Sequence, residues 1–222
     1  VDKKVKARNK TELIDTLGNI KQERKRELFT LSSELKAAKY PNDLPLVRRA
    51  AIIFSYAHWE GFIKDASQAY VIFVASKSRK LSDLIINFQA LACRQELIIA
   101  QKATKRIFPH LIVVKRLTDE INESYSLNPS TSIDTESNLT SEIFENICNC
   151  IGIDYKLNWE VQGPFIDDLF RNRCAIAHGE LYVPDMKYSI EALEFSIKAI
   201  DQFSTEVENA VELDAYLRTN IR

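Results

Sequence analysis

The sequence predicts an all-α fold, a helical bundle with an additional long helix at its N-terminal end. Three observations carry this. Leu13, Leu17, Ile20, Arg24, Leu28, Leu31 and Leu35 recur at three- and four-residue steps, the spacing of one helix face. A strongly apolar stretch runs from Ala50 through Phe54, Tyr56, Trp59, Phe62 and Ile63 to Tyr70, Phe73 and Val74, and reads as a central core helix. Only 5 glycines and 6 prolines occur, and no segment alternates strongly, which argues against a sandwich or a glycine-rich nucleotide fold.

Taken in order, residues 9 to 38 form the first amphipathic helix, with a dense charged face from Lys21 to Lys25. Residues 39 to 45 break it, because Pro41 and Pro45 restrict the preceding residue and remove helix hydrogen bonds. The core helix covers about 46–76. A polar joint at 78 to 80 leads to a short helix over 81 to 88 and a helical stretch over 89 to 105, whose Arg94, Lys102, Lys105 and Arg106 make a local basic region. Pro109 then interrupts. The Ser-, Thr- and Asn-rich segment from 124 to 141 reads as loop, with a short extended piece and a turn at Asn128–Pro129. Asn138 or Thr140 caps a helix beginning near Ser141, with Ile143, Phe144 and Ile147 on its apolar side and Gly152 at its end. A connector over 153 to 160 precedes a start at Gly163–Pro164 and a helix over 165 to 178. Gly179 and Pro184 bracket a loop, a last helix spans about 186–209, and the tail from Val211 adds a short turn or helix.

A chain of 222 residues with 45% apolar composition fits one domain, or one domain with an elaboration. With 30 basic and 31 acidic residues the net charge is -1, which excludes a generally basic nucleic-acid coat but not a local basic cleft. Cys93, Cys148, Cys150 and Cys174 read as reduced and mostly buried; Cys148-Asn149-Cys150 is too tight for usual zinc spacing, and no nearby histidine completes a set. Neither a metal nor another cofactor is expected. The opening Val1–Lys4 lacks a signal peptide's apolar stretch, and Leu111–Val114 is far too short to span a bilayer. The expectation is a cytoplasmic protein with no membrane partner.

The chemistry concentrates in Phe170-Arg171-Asn172-Arg173-Cys174-Ala175-Ile176-Ala177-His178-Gly179-Glu180, which holds one of only 3 histidines. At about 100° per residue, Arg171 and His178 lie two turns apart on nearly one face, whereas Arg173 and His178 lie about 140° apart. A permanent cation beside an imidazole forms a phosphate-binding and proton-transfer pair suited to RNA cleavage. The plain alternative is that these groups cap and solubilise a helix end.

This segment, together with Tyr56-Ala57-His58-Trp59-Glu60-Gly61-Phe62-Ile63-Lys64, resembles the HEPN superfamily, and most of all its MAE-like branch of small prokaryotic nucleases. The stretch from Ser137 to Ile147 also suits that branch, and the likeness spans roughly residues 45 to 205. The resemblance implies a HEPN-like helical domain over 41–222, with residues 1–40 packing on it or extending it. It also implies a homodimer in which R-x(4–6)-H motifs from two subunits form a metal-independent ribonuclease site. Carried over, His178 is the motif histidine. Arg173 is the motif arginine in the ungapped frame, although Cys174 stands where a polar residue is common, and Arg171 followed by Asn172 also fits the spacing. Some relatives are toxins paired with an antitoxin and modified on a tyrosine two residues past the histidine; here Glu180 holds that place and Tyr182 follows two later. Other relatives are non-catalytic RNA-binding or assembly modules.

The expected reaction is attack of an RNA 2'-hydroxyl on the adjacent phosphodiester, giving a 2',3'-cyclic phosphate and a 5'-hydroxyl. His178 or its symmetry mate moves the proton, and Arg171 or Arg173 stabilises phosphate charge. Asn172 and Glu180 orient these groups. His58 is a core or interface histidine or a support for the site. Arg48 and Arg49 are candidate RNA backbone contacts, and Glu60 or Lys64 can pair across helices. The partners implied are a second copy, an RNA substrate and an antitoxin or other defence-system protein.

Overall fold

The computed structural model describes residues 7–40, 42–124, 133 and 138–218, and among these the chain is helical with no strand. Helix α1 (Lys10–Lys36) starts where the Asn9 side chain accepts from the Glu12 amide. Its Leu13, Leu17, Leu28 and Leu35 are buried. Helix α2 (Pro45–Ser76) has proline in its first turn, where no N–H is needed. The preceding Leu44 takes a left-handed conformation, φ 56°, that turns the chain into it.

These two helices and the long α9 (Met186–Glu212) pack pairwise into the centre of the molecule. Small residues line the α2–α9 seam: Ala51, Ser55, Ala66, Ala192, Ser196 and Ala199 are all buried. Ser196 Oγ donates to the Ser55 carbonyl at 3.1 Å, which satisfies the hydroxyl inside the seam. Ion pairs fasten the outer edge of α1: Arg24 to Asp65 on α2 at 2.6 Å, Lys36 to Glu194 on α9 at 2.7 Å, and Lys25 to Asp201. The expectation of a long amphipathic N-terminal helix is met.

The span between α2 and α9 departs most from expectation. A 3-10 turn at Leu81–Asp83 precedes α3 (Ile86–Ala92), and Cys93 breaks the stretch expected as continuous before α4 (Arg94–Lys102). Pro109 does not interrupt a helix. It lies in the first turn of one, α5 (Phe108–Thr118), which folds back on α4. A proline in the first turn starts a helix as readily as one further in stops it. The turn at Asn128–Pro129 lies outside the described residues.

Thr140 caps α6 (Ser141–Ile151) by accepting from the Ile143 amide, and Gly152 ends it at φ 75°. The connector holds one helical turn, α7 (Tyr155–Asn158), and a 3-10 turn at Glu160–Gln162. Helix α8 (Gly163–Ala177) follows and lies against α2. Its buried Ile166 and Leu169 join a cluster of aromatic rings in which Trp59 meets Phe144 at 5.1 Å, Trp159 at 5.5 Å and Phe195 at 6.0 Å. No helix among the described residues is long and apolar enough to cross a membrane.

Candidate functional site

The last turn of α8 carries the motif. His178 is its C-cap residue; Gly179 follows at φ 84°, its amide donating to the Ile176 carbonyl at 3.1 Å, and the Glu180 amide donates to the Ala175 carbonyl at 3.0 Å. This is a Schellman ending, which needs a left-handed residue after the cap. It holds the His178 backbone at the mouth of the helix with its side chain exposed. Space around Gly179 is open, so Gly179→Ala strains only the backbone. It is expected to lower stability by about 1 kcal/mol and to reduce cleavage further by loosening the His178 backbone. A melting curve beside a cleavage assay checks both.

The two arginines diverge as the 100° rule predicts. Arg171 is exposed and pairs with Asp168 at 2.9 Å one turn earlier. Arg173 turns into the α2–α8 seam, where its guanidinium lies 4.1 Å from the Tyr56 ring centre and 3.7 Å from Glu60. Tyr56 itself accepts from the Leu139 amide at 2.5 Å. Burial, then the Glu60 carboxylate, push its hydroxyl up to about 12, and Arg173 opposes this. Tyr56 therefore stays a neutral platform beneath a permanent cation. Glu60 thus pairs across helices, with Arg173 on α8.

Asn172 is held between α8 and α9. Its amide donates to Asp168 at 3.1 Å and to the Tyr188 hydroxyl at 2.9 Å, and burial pushes that phenol up. Glu180 and the loop behind it are tied to α2 by Arg49, whose Nη1 donates to the Glu180 and Tyr182 carbonyls at 2.7 and 2.8 Å. Arg49, considered for RNA backbone contact, thus positions the loop after the motif.

Two residues are not brought to the site. Arg48 is buried, 7% exposed, and donates to the Asn42 carbonyl at 3.4 Å, so it serves the turn into α2 rather than a surface open to RNA. His58 does not support the motif either. Between Tyr56 and His58 the helix turns about 200°, and His58 faces α1, where its Nε2 meets Glu27 at 2.9 Å. Burial, outweighing Glu27, holds His58 below the ordinary histidine value. The folded chain therefore binds that proton less readily than the unfolded one, so stability falls as pH drops below about 6.5. The wild-type melting temperature is expected to fall more steeply than that of His58→Gln between about pH 8 and about pH 5; parallel curves would contradict this.

Asp168, Tyr56 and Tyr188 are the participants that the motif did not announce. Asp168 carried a sequence signal, three and four residues before Arg171 and Asn172. Tyr56 stood in the segment that shares the motif's resemblance, while Tyr188 arrives through tertiary packing and carried none. The cysteines are free, and burial pushes the Cys93, Cys148 and Cys150 thiols up, as inert core groups require. Among the described residues no group of three or more His, Cys, Asp or Glu is placed to hold a metal ion.

No curated protein and no solved structure matches the chain. A family model described as RiboL-PSP-HEPN matches residues 19–212, from within α1 to the end of α9.

Proposed function

From its membership of the RiboL-PSP-HEPN family, and so of the HEPN superfamily, we propose that the chain is a metal-independent endoribonuclease whose site forms where the C-terminal ends of α8 from two copies meet. The observation that carries this reading is the exposed His178 at the C-cap of α8, with Arg171 on nearly the same face and Arg173 anchored behind.

In this mechanism one His178 imidazole takes the proton of an RNA 2'-hydroxyl. The 2'-oxygen bonds to phosphorus, the bond from phosphorus to the 5'-oxygen breaks, and the second copy's imidazole gives the leaving oxygen its proton. Arg171 and Arg173 stabilise charge growing on the phosphate oxygens. Asn172, fixed by Asp168 and Tyr188, and Glu180, carried on the loop that Arg49 ties, set the direction of these groups. The Tyr56–Lys64 and Arg173–Glu180 segments support the likeness to the MAE-like branch. A toxin or antiviral effector, cytoplasmic and held by an antitoxin or other defence protein, goes with it.

The end groups test the mechanism. Cleaved RNA is expected to carry 2',3'-cyclic phosphate and 5'-hydroxyl ends, and a substrate with 2'-deoxyribose at the cut site is expected to resist. Cleavage of the deoxy substrate would overturn it. One observation favours a second reading, a non-catalytic dimeric RNA-binding or scaffold module: Arg171, Asn172 and Arg173 each already hold partners within the chain. RNA bound by wild type and His178→Ala alike, with neither cutting, would establish that module.

A further inference from the structure

The α4–α5 hairpin stands apart from the α1–α2–α9 core. Its base is pinned at the C-terminal end of α2, where the Leu81 amide donates to the Glu123 carbonyl at 3.2 Å and Ser82 donates to Ile121 at 2.8 Å. Between Tyr56, beneath Arg173, and Ser76 at that end, α2 rises about 30 Å. The hairpin and the motif therefore belong to opposite ends of the bundle.

Among the described residues, one face of α5 makes its contacts within the chain. Val113 is buried, and Arg116 reaches Glu96 on α4 at 3.5 Å and Glu120 at 2.8 Å. The other face is open and mostly apolar, with Lys115 and Thr118 exposed among its side chains and Lys115 paired to Glu120 at 3.1 Å. Ile107 and Phe108 are 71% and 69% exposed, and Leu111, Ile112, Val114 and Leu117 join them. Ile107, Phe108, Leu111 and Val114 fall within about 120° of arc. The four residues of that arc leave on the order of 500 Å² uncovered, towards the upper end of the about 300–600 Å² of the largest patch on an ordinary monomer.

The charges bordering this face select its occupant. Lys102, Lys105 and Arg106 stand exposed at the tip of the hairpin, before α5; Asp119 and Glu123 stand exposed at its base, after α5. A second identical helix laid antiparallel across Leu111 and Val114 brings each basic tip to the other's acidic base and opposes the two helix dipoles. We propose that this face is a self-association surface, independent of the motif end, in which the α5 helices of two copies pack antiparallel about a two-fold axis. A chain that also pairs at its motif end then has two separate isologous contacts and builds assemblies larger than a dimer.

Sedimentation of the full chain tests this. Leu111→Glu with Val114→Glu is expected to lower the assembly state by one pairing step while the helical circular dichroism of the chain stays at the wild-type value, since both residues are exposed in the single copy. Lys105→Glu with Arg106→Glu is expected to weaken pairing at least tenfold, and adding Asp119→Lys with Glu123→Lys to the same chain is expected to restore it. Restoration supports the antiparallel arrangement in a way that damage to the fold cannot mimic. A wild-type chain that stays monomeric at micromolar concentration, or an assembly that the Leu111 and Val114 substitutions leave intact, overturns the proposal. So does a monomer that sediments with vesicles of anionic lipid, which would assign the face to a membrane surface.

Discussion

Trp59→Ala is expected to destabilise the chain by about 3–5 kcal/mol, the cost of deleting a large ring from a closed core. Trp59 is fully buried on α2 and touches rings from α6, the segment before Glu160 and α9. Removing it opens a cavity that three elements border, and none can close it without leaving its own contacts. Its indole N–H has no hydrogen-bond partner among the described residues. Trp59→Phe therefore gives up ring area but also removes a donor whose burial costs about 1–3 kcal/mol, and its loss is expected to be much smaller. Trp159 is the control. Its indole donates to Glu206 at 2.8 Å, so Trp159→Phe removes a partner from a half-buried carboxylate and is expected to cost more than Trp59→Phe. Chemical denaturation of the three variants decides the order; equal losses for the two phenylalanine substitutions would contradict the hydrogen-bond argument.

Arg173→Ala is expected to lower RNA cleavage by about 10²–10³-fold, the usual effect of losing one preorganised charge-stabilising group. It is also expected to lower stability by about 1–2 kcal/mol, because the guanidinium covers Tyr56 and neutralises Glu60. Arg171→Ala separates the two roles. Arg171 is exposed and paired only near the surface with Asp168, an arrangement that contributes little to stability. Its loss is expected to lower kcat/KM with an unchanged melting temperature. Arg173→Lys keeps the charge without the flat fork that lies over Tyr56, and partial cleavage is expected. If Arg173→Ala melts lower but cleaves normally, Arg173 is a structural peg and Arg171 alone serves the phosphate.

The elements governed by local rules were readable in advance. Leucine spacing marked α1, Thr140 and Gly152 bounded α6, and Gly163–Pro164 and Gly179 bounded α8, because caps, prolines and left-handed glycines act within a few residues. The 100° rule likewise separated Arg171 from Arg173. The failures were non-local. Pro109 has two meanings, stopping one helix or starting another, and only the packing of α5 on α4 decides between them. His58 stood open between a core or interface place and support for the site, and the packing of α1 on α2, which brings it to Glu27, is what decides. Arg48 and Arg49 look alike in sequence; one is buried in the turn into α2 and the other holds the loop after the motif. The resemblance set the Tyr56 segment beside the motif, but the ring under Arg173 and the Tyr188 contact with Asn172 came only from packing.

The exposed apolar face of α5 shares this origin. Leu111–Val114 looks like core in one dimension, and in the folded chain only Val113 of that run is buried.

The most direct test of the central claim is cleavage of total RNA and a tRNA pool by purified protein with a chelator and no added metal, wild type beside His178→Ala. The ribonuclease reading predicts that wild type cuts and that His178→Ala, equally folded, is slower by about 10²–10⁴-fold, the contribution of a general acid or base. Equal cutting by both proteins, or cutting that the chelator abolishes, would contradict it.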